Sequence, residues 1–206
     1  MRWSTQCKLT FSTHFPKQTN SYITRFPIFH RPTFLRKVSR GEFNTDRFFF
    51  SAVMAVCALA SARARDGSVY SARWNVAQLR DPPSEIFYEA AKDSIPVNNT
   101  LSNITARDHN CMRACAILAI TNIQFGQMRL FHQNLARYHA IVAMDGLHDE
   151  ANWPKDIGIV EIEERRRLVS YMPFTILAAF NWVDLIQLIS TPRLDYCFTS
   201  CKLVLS

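Results

Sequence analysis

Apolar residues recur along this chain with the period of an α-helix, and the strict alternation typical of an exposed strand is scarce. The clearest period lies between Gly126 and Gly146, at steps of three and four residues: Met128, Phe131, Leu135, Tyr138 and Val142. This spacing puts them on one helical face. Gly146 stands where a left-handed C-cap is wanted. The pattern predicts an amphipathic helix, paired with its predecessor as an antiparallel hairpin.

Two segments, 46–64 and 109–125, are apolar over most of their circumference, which is typical of buried helices. Asp46 and Asp108 each stand where an N-cap carboxylate would accept backbone hydrogen bonds. In the first segment, small residues such as Ala58 allow neighbouring helices to approach closely. We therefore expect an all-α fold built from antiparallel helix pairs around central apolar helices.

Prolines predict the breaks between these helices. Pro27 and Pro32 interrupt the aromatic stretch Phe26 to Leu35, for which we predict an extended segment held on the helical body by its apolar side chains. A second break at Asp81-Pro82-Pro83 precedes a helix that we expect Ser84 to cap and that reaches Ala91. A polar connection follows over residues 93–107.

A further helix is predicted from about Ile159, with three glutamates in its first turns followed by Arg165, Arg166 and Arg167. The pairs Glu161–Arg165 and Glu163–Arg167 have the favourable i,i+4 order. Three consecutive arginines suit a nucleic-acid patch or a solvated helix face. Because the preceding acids cancel their field, we favour the solvated face.

Composition places the chain among globular proteins, since its 206 residues are 48% hydrophobic and 20% charged. The net charge of +7 is unevenly distributed. Residues 1–41 contain eight of the 24 Lys and Arg residues and no acid, so the remainder is close to neutral. A neutral body is a poor platform for nucleic acid. The leader, residues 1–23, has the composition of a mitochondrial targeting peptide or of an unstructured arm, and we favour the arm.

The sequence contains no recognisable catalytic or metal-binding motif. Glycine-rich phosphate loops are absent, as are the H-E-x-x-H and H-x-x-x-H patterns of metal sites. The six cysteines are spread over the chain without a C-x₂-C pair, so we expect buried or free thiols, no bound zinc and no other cofactor. His132 and His139 lie on roughly one helix face, where surface residues are the more common case. We therefore expect no enzymatic activity.

Three stretches, in this order and spacing, resemble the middle homology region of fungal-specific transcription factors, also called the xylanolytic activator-type regulatory domain. The first is P-I-F-H-R-P-T-F-L, containing Pro27, His30, Pro32 and Phe34, followed by F-F-x-x-V-M-A-V-C-A-L-A-S-A-R, which contains Ala58. The second is Y-H-A-I-V-A-M-D-G-L-H, which ends at Gly146, Leu147 and His148. The third is E-I-E-E-R-R-R-L, with Arg165, Arg166 and Arg167.

The resemblance covers about residues 24–168 and implies the N-terminal part of an all-α regulatory domain without catalytic residues. In that family the domain follows a Zn₂Cys₆ DNA-binding cluster, which this sequence lacks, so the family's zinc would have no ligands here and direct DNA binding by this chain is not expected. The implied location is the nucleus. The implied partners are the transcription machinery, the parent factor's own DNA-binding region or a second copy of the chain.

After the third stretch the family usually has Phe-Trp, whereas this chain has Val169-Ser170. We therefore assign residues 169–206 to an apolar tail outside the family, and we expect a truncated domain that aggregates or needs a partner. The alternative is a helical membrane-associated or mitochondrial protein with a basic leader and an apolar C-terminal segment. Pro173, Asn181 and Asp184 argue against a good membrane span in that tail.

Overall fold

Helix α2, Arg47–Arg65, packs against two other helices in the computed structural model. The structure describes residues 28–65, 83–96, 109–144 and 146–170. Within these ranges there are six α-helices and no strand, which confirms the predicted all-α class. The predicted leader, Pro27, the expected cap Asp108 and nearly all of the predicted tail lie outside the described residues.

Six helices follow one another along the described parts of the chain. After α1, Arg31–Ser39, a short 3₁₀ turn leads into α2. The later helices are α3, Ser84–Ser94; α4, His109–Gln124; α5, Met128–Met144; and α6, which covers residues 159–170 of the described chain. Among the described residues, no helix combines the length and the apolar character that crossing a bilayer requires.

Helix α2 is apolar over most of its circumference because neighbouring helices pack against more than one of its sides. It contacts both α3 and α4, and α4 contacts α5 in turn. Ala52, Ala55 and Ala58 are fully buried, so the predicted close approach of neighbouring helices is confirmed. The predicted cap is also confirmed, because the Asp46 carboxylate accepts hydrogen bonds from the backbone N–H groups of Phe48 at 2.8 Å and Phe49 at 2.9 Å.

Helices α4 and α5 form the predicted antiparallel hairpin, joined by the short turn 125–127. The buried side of α5 is Phe131, Asn134, Tyr138 and Ile141, whereas Met128, Leu135 and Val142 of the predicted stripe are only half-buried. The buried side thus includes an amide. The Asn134 amide nitrogen donates to the Tyr88 hydroxyl at 3.2 Å, which satisfies the polar group inside the core.

Two predictions at proline breaks were wrong. The stretch around Pro32 is helical from Arg31 onward, because a proline in the first helical turn removes only an N–H that has no intrahelical acceptor. Ser84 is the first residue of α3 and not its cap; the cap position is Pro83, whose side chain makes no capping hydrogen bond. The helix also continues three residues beyond Ala91, to Ser94.

Candidate functional site

A set of mostly buried ionisable side chains joins the beginning and the end of the described chain. It consists of His109 and Arg113 on α4 together with Glu161, Glu164 and Arg165 on α6, and is called the ionic cluster below. It lies beside Phe29 and His30, the residues just before α1. The cluster contains the buried His109 and two buried arginines, Arg113 and Arg165, each with a carboxylate partner, so it is the candidate site.

Arg113 occupies the centre of the cluster. Its side chain is only 7% exposed, and one guanidinium nitrogen lies 2.7 Å from Oε2 of Glu164, which is 12% exposed. The guanidinium also stacks over the Phe29 ring, 4.6 Å from its centroid, and donates to the Asn110 side-chain oxygen at 3.0 Å. Burial lowers the pKa of Arg113, an effect that the Glu164 carboxylate opposes. An ionised, paired arginine is therefore part of the interior.

Glu164 connects three segments that are distant in sequence. While Oε2 faces Arg113, Oε1 accepts a hydrogen bond from the backbone N–H of His30. That N–H precedes α1, and the His30 ring in turn lies within hydrogen-bonding distance of the Thr33 hydroxyl, at 2.8 Å. One carboxylate thus fixes the entry to α1 against α4 and α6.

The predicted pairs on α6 are confirmed, but the predicted solvated face is wrong for one arginine. Arg167 pairs with Glu163 at 2.9 Å, and Arg165 pairs with Glu161 at 2.7 Å. Arg165 is only 1% exposed, because α6 turns this position towards α4. Arg166 does face solvent and forms two hydrogen bonds with Glu150, one of them at 2.7 Å.

His109 is the member of the cluster whose surroundings most disfavour a positive charge. It is 5% exposed, and its Nε2 atom has no hydrogen-bond partner. Burial first, and then the charges of Arg113, Arg165 and Lys37, lower the pKa of His109 well below its ordinary value. The imidazole is consequently neutral at neutral pH. A second proton here would place another cation beside two buried guanidinium groups.

The segment Gly146-Leu147-His148 forms a turn that supports α6. Gly146 has a φ of 59°, which confirms the predicted left-handed C-cap, and the Leu147 N–H donates to the Val142 carbonyl at 2.9 Å. Leu147 is buried, and its carbonyl accepts the Trp153 indole N–H at 2.9 Å. His148 is exposed. This turn leads to Glu150, the partner of Arg166.

The other residues selected from the sequence either pack in the core or lie exposed on a helix. Phe34 is buried, with its ring centroid 4.5 Å from that of Phe29 and 5.7 Å from that of Phe49. Pro32 is exposed on the first turn of α1, and Ala58 is buried within α2. Cys57, Cys111 and Cys115 are buried, and burial raises the pKa of the Cys57 thiol. The described parts of the chain contain no group of ligating side chains arranged to hold a metal ion.

Sequence reasoning did not identify Arg113, Glu164 or His109 as partners. The only available signal was a charged residue, Arg113, within the apolar segment 109–125. A buried arginine needs a carboxylate nearby, but its spacing in sequence does not tell which one.

The comparisons with known proteins return nothing for this chain: no family model, no curated protein and no solved structure matches it.

Proposed function

We propose that this chain is a regulatory and interaction module of a fungal-specific transcription factor, acting in the nucleus without catalysis. The observation that supports the proposal most is the ionic cluster. It joins His30 of the first resembling stretch to Glu164 of the third, 134 residues further along the chain. Residues that the resemblance selects by motif alone thus meet in one structural unit.

The second resembling stretch belongs to the same unit. The Tyr138 hydroxyl donates to the Leu168 carbonyl at 3.1 Å, so the start of the second stretch is bonded to the end of the third. Both residues are buried. Contacts of this kind suit a domain that acts by presenting a surface, because both buried arginines are paired with glutamates of the same chain.

A tethering experiment tests the proposal. The full chain is placed between a heterologous DNA-binding domain and an activation domain in a fungal host, and transcription of a reporter gene is measured. We expect a severalfold change in transcription relative to a fusion that carries an unrelated helical domain of similar size. Equal transcription from the two fusions would contradict the proposal.

Two matched variants make the tethering experiment specific to the folded module. Glu164→Gln breaks the buried pair with Arg113, whereas Glu150→Gln breaks the exposed pair with Arg166. We expect the first to abolish the change in transcription and the second to preserve it. If both variants still change reporter transcription, the effect does not depend on the fold that the Glu164–Arg113 pair stabilises.

The alternative function, a membrane-associated or mitochondrial helical protein, is favoured by the acid-free composition of residues 1–41. Cell fractionation of a tagged full-length chain separates the two proposals. Recovery in a carbonate-resistant membrane pellet or within mitochondria would favour the alternative, and recovery with nuclei would favour the transcription module.

A further inference from the structure

The cations of α1 form a run of exposed charges without a carboxylate partner. Arg47, Arg129 and Lys155 also lack one among the described residues, but they lie far apart in sequence. Arg31, Arg36, Lys37 and Arg40 are all exposed, and none forms an ion pair with any residue that the structure describes. Elsewhere, pairing with glutamate is the common arrangement: Arg65 with Glu85, Lys92 with Glu89, Arg113 with Glu164, Arg165 with Glu161, Arg166 with Glu150 and Arg167 with Glu163.

The geometry of α1 concentrates these charges. Arg36 and Arg40 are one helical turn apart, with the Arg40 N–H bonded to the Arg36 carbonyl at 3.1 Å, so their side chains lie on the same face. Lys37 is adjacent, and its ammonium lies 5.8 Å from the centre of the Phe49 ring. The basic α1 surface, defined as Arg31, Arg36, Lys37 and Arg40, spans only about 14 Å.

We propose that the basic α1 surface binds an acidic polypeptide segment. Charge complementarity requires an anionic partner, because four cations without internal partners attract anions and repel cations.

A long polyanion such as duplex DNA fits this surface less well. A duplex carries a charge about every 1.7 Å along its axis and needs an extended basic track. Here the track is about 14 Å long, and the residues that follow it include Glu42 and Asp46. A short acidic peptide satisfies the cations without meeting those carboxylates. This binding extends the proposed function and does not depend on it, since it requires only the folded helix.

Fluorescence anisotropy of the full-length chain tests the proposal. The probe is a dye-labelled synthetic peptide of Asp-Asp-Leu repeats, with Asn-Asn-Leu repeats as the uncharged counterpart and a dye-labelled DNA duplex as the competing class of anion. We expect the acidic peptide to bind with an affinity that falls as salt is added, the uncharged peptide not to bind, and the duplex to bind more weakly.

A charge-matched pair of double variants locates the site. R36E/R40E reverses two charges of the basic α1 surface. R129E/K155E reverses two exposed cations elsewhere that also have no carboxylate partner among the described residues. Both proteins carry the same net charge and the same residues 1–30. We expect R36E/R40E to weaken peptide binding by about tenfold or more and R129E/K155E to have a much smaller effect.

Three results would overturn the proposal: no binding of the acidic peptide, equal losses in the two double variants, or tighter binding of the duplex that R36E/R40E selectively abolishes. The last result would make nucleic acid the partner. R36Q/R40Q, which removes the charges without reversing them, guards against misfolding. If it retains the native circular dichroism spectrum and full peptide affinity, the basic α1 surface is not the site.

Discussion

Helices α1 and α6 both carry clusters of cations, yet the two clusters have different physical roles. On α6, Arg165, Arg166 and Arg167 each meet a glutamate within 2.9 Å. On α1, the cations have no carboxylate partner among the described residues. The difference follows from sequence composition, since acids precede the α6 arginines both on α6 and in the turn at Glu150, whereas no acid occurs before residue 42. Paired cations belong to the fold, and unpaired ones remain available to a partner.

The largest expected effect is on stability and comes from the carboxylate that joins the two ends of the described chain. Glu164→Gln leaves the buried Arg113 without its paired carboxylate and weakens the tie to the entry of α1. We expect a loss of about 3 to 5 kcal/mol in the free energy of unfolding, measured by urea denaturation. Glu150→Gln, which affects only the exposed Arg166 pair, is the control and should leave the midpoint nearly unchanged. Equal losses would show that burial does not distinguish the two pairs.

The turn that leads to Glu150 should be next in magnitude. Gly146→Ala places a Cβ atom 2.6 Å from the Asn152 side-chain nitrogen at a φ of 59°, so we expect a loss of about 1 to 3 kcal/mol. Gly126→Ala has a similar φ of 68° but meets no atom within 4 Å, and Gly158→Ala has neither constraint.

Thermal unfolding of the three glycine variants checks this order. Gly146→Ala should be the least stable, Gly126→Ala intermediate and Gly158→Ala close to the parent protein. If Gly126→Ala lost as much as Gly146→Ala, backbone conformation alone would explain the cost and the contact with Asn152 would be irrelevant.

Acid should weaken the ionic cluster through His109. Because the folded state lowers its pKa below the ordinary value of 6.5, the unfolded chain takes up the proton first. Stability is therefore unaffected by this group above pH 6.5. It falls below that pH by up to about 1.4 kcal/mol per pH unit. The pKa values of Glu85 and Glu150 are lowered by their arginine partners, so protonation of these carboxylates reduces stability only below their ordinary pKa of 4.5.

Urea denaturation between pH 7 and pH 5 isolates the histidine contribution. His109→Gln should flatten the pH dependence in this interval, whereas the exposed His139→Gln should retain it. An unchanged slope in His109→Gln would show that the imidazole is not the group that takes up the proton.

The hydrogen bond between α5 and α6 should have a smaller effect than the buried ion pair. Tyr138→Phe removes the hydroxyl that donates to the Leu168 carbonyl at 3.1 Å. We expect a loss of about 1 kcal/mol, measured by chemical denaturation. Asn134→Leu, which removes the amide bonded to Tyr88, tests whether the other polar contact of α5 is worth a similar amount. No loss in Tyr138→Phe would show that solvent replaces the bond.

The smallest effect on stability should come from α1. Arg36→Gln and Arg40→Gln remove cations without a described carboxylate partner, so we expect changes within about 0.5 kcal/mol. Arg165→Gln, in contrast, removes a guanidinium that is 1% exposed and should destabilise the protein clearly. Comparable losses at Arg36 and Arg165 would remove the distinction between the two clusters.

Features set by local spacing could be predicted from sequence. The Gly146 cap, the Asp46 cap, the pair Glu161–Arg165 and the hairpin of α4 and α5 depend on residues within a few positions or on helical periodicity, and the structure confirms them. The error at Pro32 was also local: the proline occupies the first turn, where its missing N–H costs nothing.

The candidate site required the fold. Arg113 and Glu164 are brought together by the packing of α4 and α6, and their separation of 51 positions has no periodic relation. The burial of Asn134 also could not be predicted from sequence. An amide is expected to be exposed unless it has a hydrogen-bond partner inside the core, and that partner, Tyr88, is 46 residues away. The burial of Arg165 likewise depends on which side of α6 faces α4 and not on its pairing with Glu161.

The most direct test of the account is a double-mutant cycle on Arg113 and Glu164, with Arg113→Met, Glu164→Gln and the double variant compared with the parent protein by urea denaturation. If the two side chains interact, the double variant should lose less stability than the two single variants added together. We expect this difference, the coupling energy, to be about 1 to 3 kcal/mol. Single losses that simply add, to within about 0.5 kcal/mol, would contradict the claim that this buried pair holds α6 against α4.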